Sequence, residues 1–122
     1  MNPALQIDAF TTERSGYDAI GELIERRVPF DALFCASDLI AIGAMRALVD
    51  RGIRVPQDVA VAGFDDIPIA SFTNPSLTTV QQDTKAAATL LVESLLGLIH
   101  DEPVESTTIP AKLAIRQSTA TG

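Results

Sequence analysis

Short apolar runs alternate with segments of helical period along this chain, and that alternation limits its folds more than any other feature. Strands separated by helices are the signature of βα units around a mostly parallel sheet with helices on both faces. The first run is Leu5 to Phe10, followed by a helical segment that Thr11 or Thr12 can cap and that places Tyr17, Ile20 and Ile24 on one face. Pro29 ends it. A second run, Ala32 to Ala36, leads into a helix with Ser37 or Asp38 as cap, Ile42, Met45 and Val49 at helical spacing, and Gly52 as a left-handed terminator. Val59 to Gly63 is the third strand, and Thr78 to Gln81 is a further extended piece. Thr84 to His100 forms a strong helix that Gly97 weakens in its last turn, and the tail holds one or two short strands broken at Pro110.

A chain of 122 residues that is 47% hydrophobic can bury a real core, and one compact unit is the first expectation. The net charge of −7 and the lack of a basic run argue against this segment gripping nucleic acid, which needs clustered Lys and Arg. No apolar stretch has membrane-spanning length and no basic start leads into an apolar signal region, so the chain reads as cytoplasmic. Cys35 is the single cysteine and sits inside an apolar run, which points to a buried structural thiol. With His100 the lone histidine, at a helix end, neither a His/Cys zinc site nor a Ser-His-Asp triad is expected.

Parallel strands point the same way, so the residues that follow them gather along one sheet edge, where open α/β sheets bind ligands. Those residues are Phe10, Ser37 with Asp38, and Asp65 with Asp66. An aromatic face with carboxylate and hydroxyl groups suits a small polyhydroxylated molecule such as a sugar. Each residue also has a plainer role. Ser37 and Asp38 are good helix caps, Asp66 before Ile67-Pro68 fits a turn, and Phe10 fits the core equally well. Asp65 is the one for which ligand contact is favoured, since its neighbour can shape the turn. The two adjacent aspartates have no Lys or Arg close to them in sequence.

Clustered carboxylates with Lys85 also raise a Mg²⁺ or phosphoacceptor reading, but the order of the acids along the chain is wrong for a receiver domain. A glycine-rich phosphate loop is absent, so no nucleotide cofactor is expected.

The ordered series "FTTERSGYDAI", "PFDALFCASDLIAIGAMRALVDRGIRVPQDVAVAGFDD", "NPSLTTVQQD" and "LAIRQST" resembles the lactose-repressor and galactose-repressor (LacI/GalR) transcriptional regulators from about Phe10 to Thr119. That resemblance implies a periplasmic-binding-protein-like effector domain of two α/β lobes with a sugar or nucleobase between them and no catalysis. It implies that operator DNA is read by a separate helix-turn-helix headpiece, and that the chain is the C-terminal portion of a longer regulator. Residues 1–82 would then be part of the C-terminal lobe, 83–104 a crossover helix belonging to the other lobe, and 105–122 strands returning across the lobes. A periplasmic sugar-binding protein of the same fold is the alternative.

By the same resemblance, Asp65 matches the family's ligand-binding aspartate and Phe10 its effector-packing aromatic. Ser37 stands where the family commonly has Asn, a change that removes an amide donor. Ile42 and Phe72 fall at positions similar to those of the family's dimer interface, with core packing as the other reading for both. A helix carrying Leu91, Leu95 and Leu98 must bury its stripe on something, and the resemblance puts that surface outside the chain, so self-association or a mobile helix is expected.

Overall fold

Two side-chain caps start the helices that carry the core. The computed structural model describes residues 1–120 and shows Thr12, not Thr11, accepting the Ser15 N–H ahead of α1 (Glu13–Glu25). Ser37 accepts the Ile40 N–H ahead of α2 (Asp38–Asp50), which makes Asp38 the first helical residue and not the cap. Gly52 ends α2 with φ 72°; its N–H bonds to the Val49 carbonyl while the Ile53 N–H bonds to that of Leu48, a Schellman closure.

Four strands form one sheet: β1 (Ala32–Phe34), β2 (Ala60–Phe64), β3 (Thr78–Gln81) and β4 (Lys112–Ala114), in that spatial order. The first three run parallel, with Leu33 opposite Val61 and Ala62 opposite Thr78, and β4 runs antiparallel with Leu113 opposite Val80. The mostly parallel α/β reading therefore holds. Val61, Leu77, Ala41, Ala44, Ala47 and Leu48 lie fully or almost fully buried where α2 covers the sheet. α1 packs along α2, and backbones meet there: a Cβ on Gly16 would strike the Ile40 carbonyl and one on Gly43 the Glu13 carbonyl.

Two expectations need correcting. Leu5 to Phe10 is not a strand: Pro3–Leu5 is a 3-10 turn and residues 6–10 join no ladder. Alternating apolar residues make a strand only when a neighbour offers ladder bonds. Here Ile7 and Ala9 pack against the core, while Arg26 takes the carbonyls of Ala4 and Gln6 at 3.1 and 2.8 Å. In α2, Met45 is buried and Ile42 half-buried, but Val49 is exposed. Contact with both the sheet and α1 widens the buried face to Ile40, Ala41, Ala44 and Leu48, and Val49 falls beyond its border.

The polar triplet Gln81 to Asp83 is the junction of β3 with α3 (Thr84–Ile99), where Asp83 caps the helix by accepting the Ala86 N–H. α3 leaves Leu91, Val92, Leu95, Leu96, Leu98 and Ile99 between 49% and 70% exposed. The chain then returns through residues 102–111 to β4, the one strand of the tail among the described residues. Positions 121 and 122 of the expected returning segment lie outside the described residues.

Candidate functional site

β2 delivers the chain to the C-terminal edge of the sheet at Phe64, and the next two residues turn sharply. Asp65 has φ 113° and Asp66 φ 55°, both in the region where a Cβ is strained. Such residues each cost about 1–3 kcal/mol and persist only where the surroundings determine them. The determinants here are visible. The Asp65 N–H bonds to the Val80 carbonyl on β3, and the Asp66 N–H bonds to Thr79 Oγ1 at 3.2 Å.

Asp38, expected at the ligand surface, lies beneath it instead and is fully buried. Thr79 Oγ1 donates to its Oδ1 at 2.6 Å and the Ile67 N–H donates to its Oδ2 at 2.8 Å. A carboxylate placed at the start of α2 also faces the helix's partial positive charge. Room for it comes from Gly63, where a Cβ would collide with Asp38 Oδ1. The same carboxylate acts on Cys35: burial, and then repulsion from Asp38, push that thiol up to about 12, as fits a structural cysteine.

Asp66 does have a basic partner, one that adjacent sequence did not disclose. Arg116 Nη1 lies 2.8 Å from its Oδ1 and also donates to the Leu77 carbonyl at 2.9 Å. Ser118, two residues on, is fully buried; its Oγ donates to the Val61 carbonyl at 2.6 Å and accepts the Thr78 N–H at 2.8 Å. The tail is thus stitched between β2 and β3.

With Asp38 buried and Asp66 paired, Asp65 is the aspartate of the three that reaches solvent. Its Oδ1 accepts from Gln82 Nε2 at 3.0 Å. Gln82 follows β3 as Asp65 follows β2; extending the strand-end reading to the third parallel strand would have found it. Phe34, the last residue of β1, is an exposed aromatic at the strand ends that sequence reasoning passed over.

The remaining candidates separate. Phe10 is 83% exposed, which removes the core reading, while Ser37 is buried and occupied as the cap of α2. Ile42 packs against the core, whereas Phe72 is 81% exposed beside the half-exposed Ile69. Asp65 lines neither the hollow of about 410 Å³ beside Gln6 and Arg26 nor that of about 510 Å³ between α3 and Ile109. Among the described residues no group of three or more His, Cys, Asp or Glu is placed to hold a metal ion, and no helix is long and apolar enough to cross a membrane.

The mostly parallel sheet with α2 packed on it is an α/β domain, and Asp65 stands at its C-terminal edge, where open α/β sheets bind ligands. The chain belongs to the periplasmic binding protein-like domain family, which matches residues 4–119, and its relatives are LacI-type transcriptional regulators. An uncharacterised HTH-type transcriptional regulator in the aml 5′ region of Streptomyces limosus is 44% identical over 86% of this chain and 30% of its own length. The HTH-type transcriptional repressor PurR of Haemophilus influenzae (strain PittEE) is 34% identical over 97% of this chain and 37% of its own length. Among solved structures, the transcriptional regulator CelR–cellobiose complex is similar with a TM-score of 0.88 and 35% identity, over 97% of this chain and 37% of that one. The chain therefore spans about a third of the length of these relatives.

Proposed function

We propose that this chain is the effector-binding portion of a cytoplasmic LacI/GalR-type regulator, which binds a small polyhydroxylated molecule, most simply a sugar, at the Asp65 edge. The observation that carries the reading is Asp65 itself: an exposed carboxylate held in a left-handed conformation at the end of a parallel strand. An ionised aspartate accepts two hydrogen bonds from neighbouring hydroxyls, and an exposed aromatic such as Phe10 covers an apolar sugar face. Gln82 adds an amide that can donate and accept.

In this proposal residues 1–82 belong to the C-terminal lobe, 83–104 cross to the other lobe, and 105–122 return. Support comes from α3, whose apolar side chains stand in solvent as they would if their partner surface lay outside the chain. Operator DNA would be contacted by a headpiece elsewhere in the regulator, in keeping with the acidic charge of this segment. A homodimer through the Phe72 surface belongs to the same reading, supported by the exposure of that ring.

In the full-length regulator, a thermal-shift screen of sugars against nucleobases identifies the ligand class. Asp65→Ala is then expected to weaken the ligand that scores by about 1.5 to 3 kcal/mol in calorimetry, the range for a hydrogen bond to a charged group. Unchanged affinity would remove Asp65 from the site.

A further inference from the structure

The acid loop holds two consecutive non-glycine residues at positive φ, a conformation that short-range sequence does not favour. Besides the Val80 carbonyl that takes the Asp65 N–H, three side chains from distant parts of the chain keep it there. Asp38 at the start of α2 takes the Ile67 N–H, Thr79 on β3 takes the Asp66 N–H, and Arg116 beyond β4 takes the Asp66 carboxylate. Arg116 differs from the other two because it sits in the returning tail and grips both the loop and the Leu77 carbonyl just ahead of β3.

Burial separates this ion pair from the others. The side chains of Arg116 and Asp66 are 22% and 14% exposed, whereas those of Arg54 and Asp58 are 70% and 38% exposed. Exposed pairs contribute little, but a mostly desolvated one leaves an uncompensated charge when either partner is lost. Breaking the Arg116–Asp66 pair therefore bears directly on the loop. Asp65 is the adjacent residue, and its own carboxylate is tied only to Gln82 among the described residues. A shift of the backbone at Asp66 that carries the Asp65 Cα with it moves that carboxylate.

We infer that Arg116 is a positioning residue for Asp65: through the Asp66 carboxylate it fixes the left-handed loop and so the direction in which the Asp65 carboxylate faces the sheet edge. The inference rests on the proposed role of Asp65 for its biological meaning, but its geometric content does not depend on any ligand. It also means that the returning tail, and not only the strand that bears the acid, sets the shape of the site.

The test uses the whole chain without ligand. Amide hydrogen exchange is followed at Asp65, Asp66 and Ile67, together with the side-chain amide signal of Gln82, in wild type, Arg116→Met, Arg116→Lys and Asp66→Asn. In Arg116→Met, exchange at Asp66 and Ile67 should rise on the order of tenfold, matching loss of a charged hydrogen bond. The Gln82 signal should shift, and Arg116→Lys should restore both in part. Asp66→Asn should loosen the same amides while the arginine is kept, and it decides the matter if Arg116→Met does not fold. Arg54→Met, which breaks an exposed pair elsewhere, should leave all these signals in place. Unchanged loop amides in the variants, or a rise spread evenly over β1, β2 and β3, would overturn the inference. Failure of every sugar to bind would instead count against the proposed function and leave these measurements standing.

Discussion

α2 and α3 are both strongly apolar helices, yet they end in opposite surroundings. α2 lies between the sheet and α1, and Ala41, Ala47 and Leu48 are wholly buried; α3 holds out Leu91, Leu95 and Leu98 at 58% to 70% exposure. Composition does not separate the two. What separates them is the surface available to cover them: α2 has two neighbours, one approached closely through Gly16 and Gly43, while no helix or strand among the described residues packs closely along α3. A buried apolar side chain contributes about 1.5–3 kcal/mol relative to an exposed one, so the stability of this chain is concentrated in its first two-thirds.

The sharpest way to break that contrast is a pair of truncations. Leu48→Ala should destabilise by about 2–5 kcal/mol, and Leu95→Ala by no more than about 0.5 kcal/mol, in urea unfolding of the same chain. Equal losses would mean that α3 is covered in solution. A smaller difference is expected at the polar part of the α2 region. Asp38→Asn replaces one acceptor oxygen by a donor, facing either the Thr79 hydroxyl or the Ile67 N–H, and should lower stability by about 1.5–3 kcal/mol in the same assay. No change would show that the site's foundation is looser than its apolar surroundings.

The smallest effect lies on the surface, in the turn before β2. Arg54 donates to both carboxylate oxygens of Asp58, and that side-chain hydrogen bond, with the Arg54 backbone N–H, lowers the Asp58 carboxyl to about 2 from an ordinary 3.8. A depressed folded value means that the contribution is present above 3.8 and is lost as pH falls through about 2. Asp58→Asn should therefore flatten only that acidic part of the stability–pH curve, by a slight amount because the pair is exposed. A carboxyl titration by NMR reads the same group directly.

Local signals carried most of the fold. The caps at Thr12 and Ser37, the Gly52 terminator and the β3 limits all follow from residues within a few positions of one another. The false strand at Leu5 to Phe10 shows the boundary of that method, since pairing depends on a neighbour that the local pattern cannot supply. The strand-end rule led to Asp65, which the structure places exposed just past the end of β2; its contact with a ligand is the proposal made above. Arg116 and Ser118 were not legible because their partners lie 50 and 57 positions away in sequence and their spacing has no period. Asp38 was misplaced for a related reason: nothing local distinguishes a carboxylate at a helix start that faces water from one that a neighbouring strand and loop have covered.

The register of the last strand pair has a topological consequence. Gln81, where the chain leaves the sheet, stands directly opposite Lys112, where it comes back. α3 and the segment behind it are therefore a detour that departs from and rejoins the sheet at a single rung. Side-chain contacts flank that rung on both sides: Gln82 with Asp65 at the exit and, past the β4 pairing, Arg116 with Asp66. The detour's two ends thus hold one aspartate each.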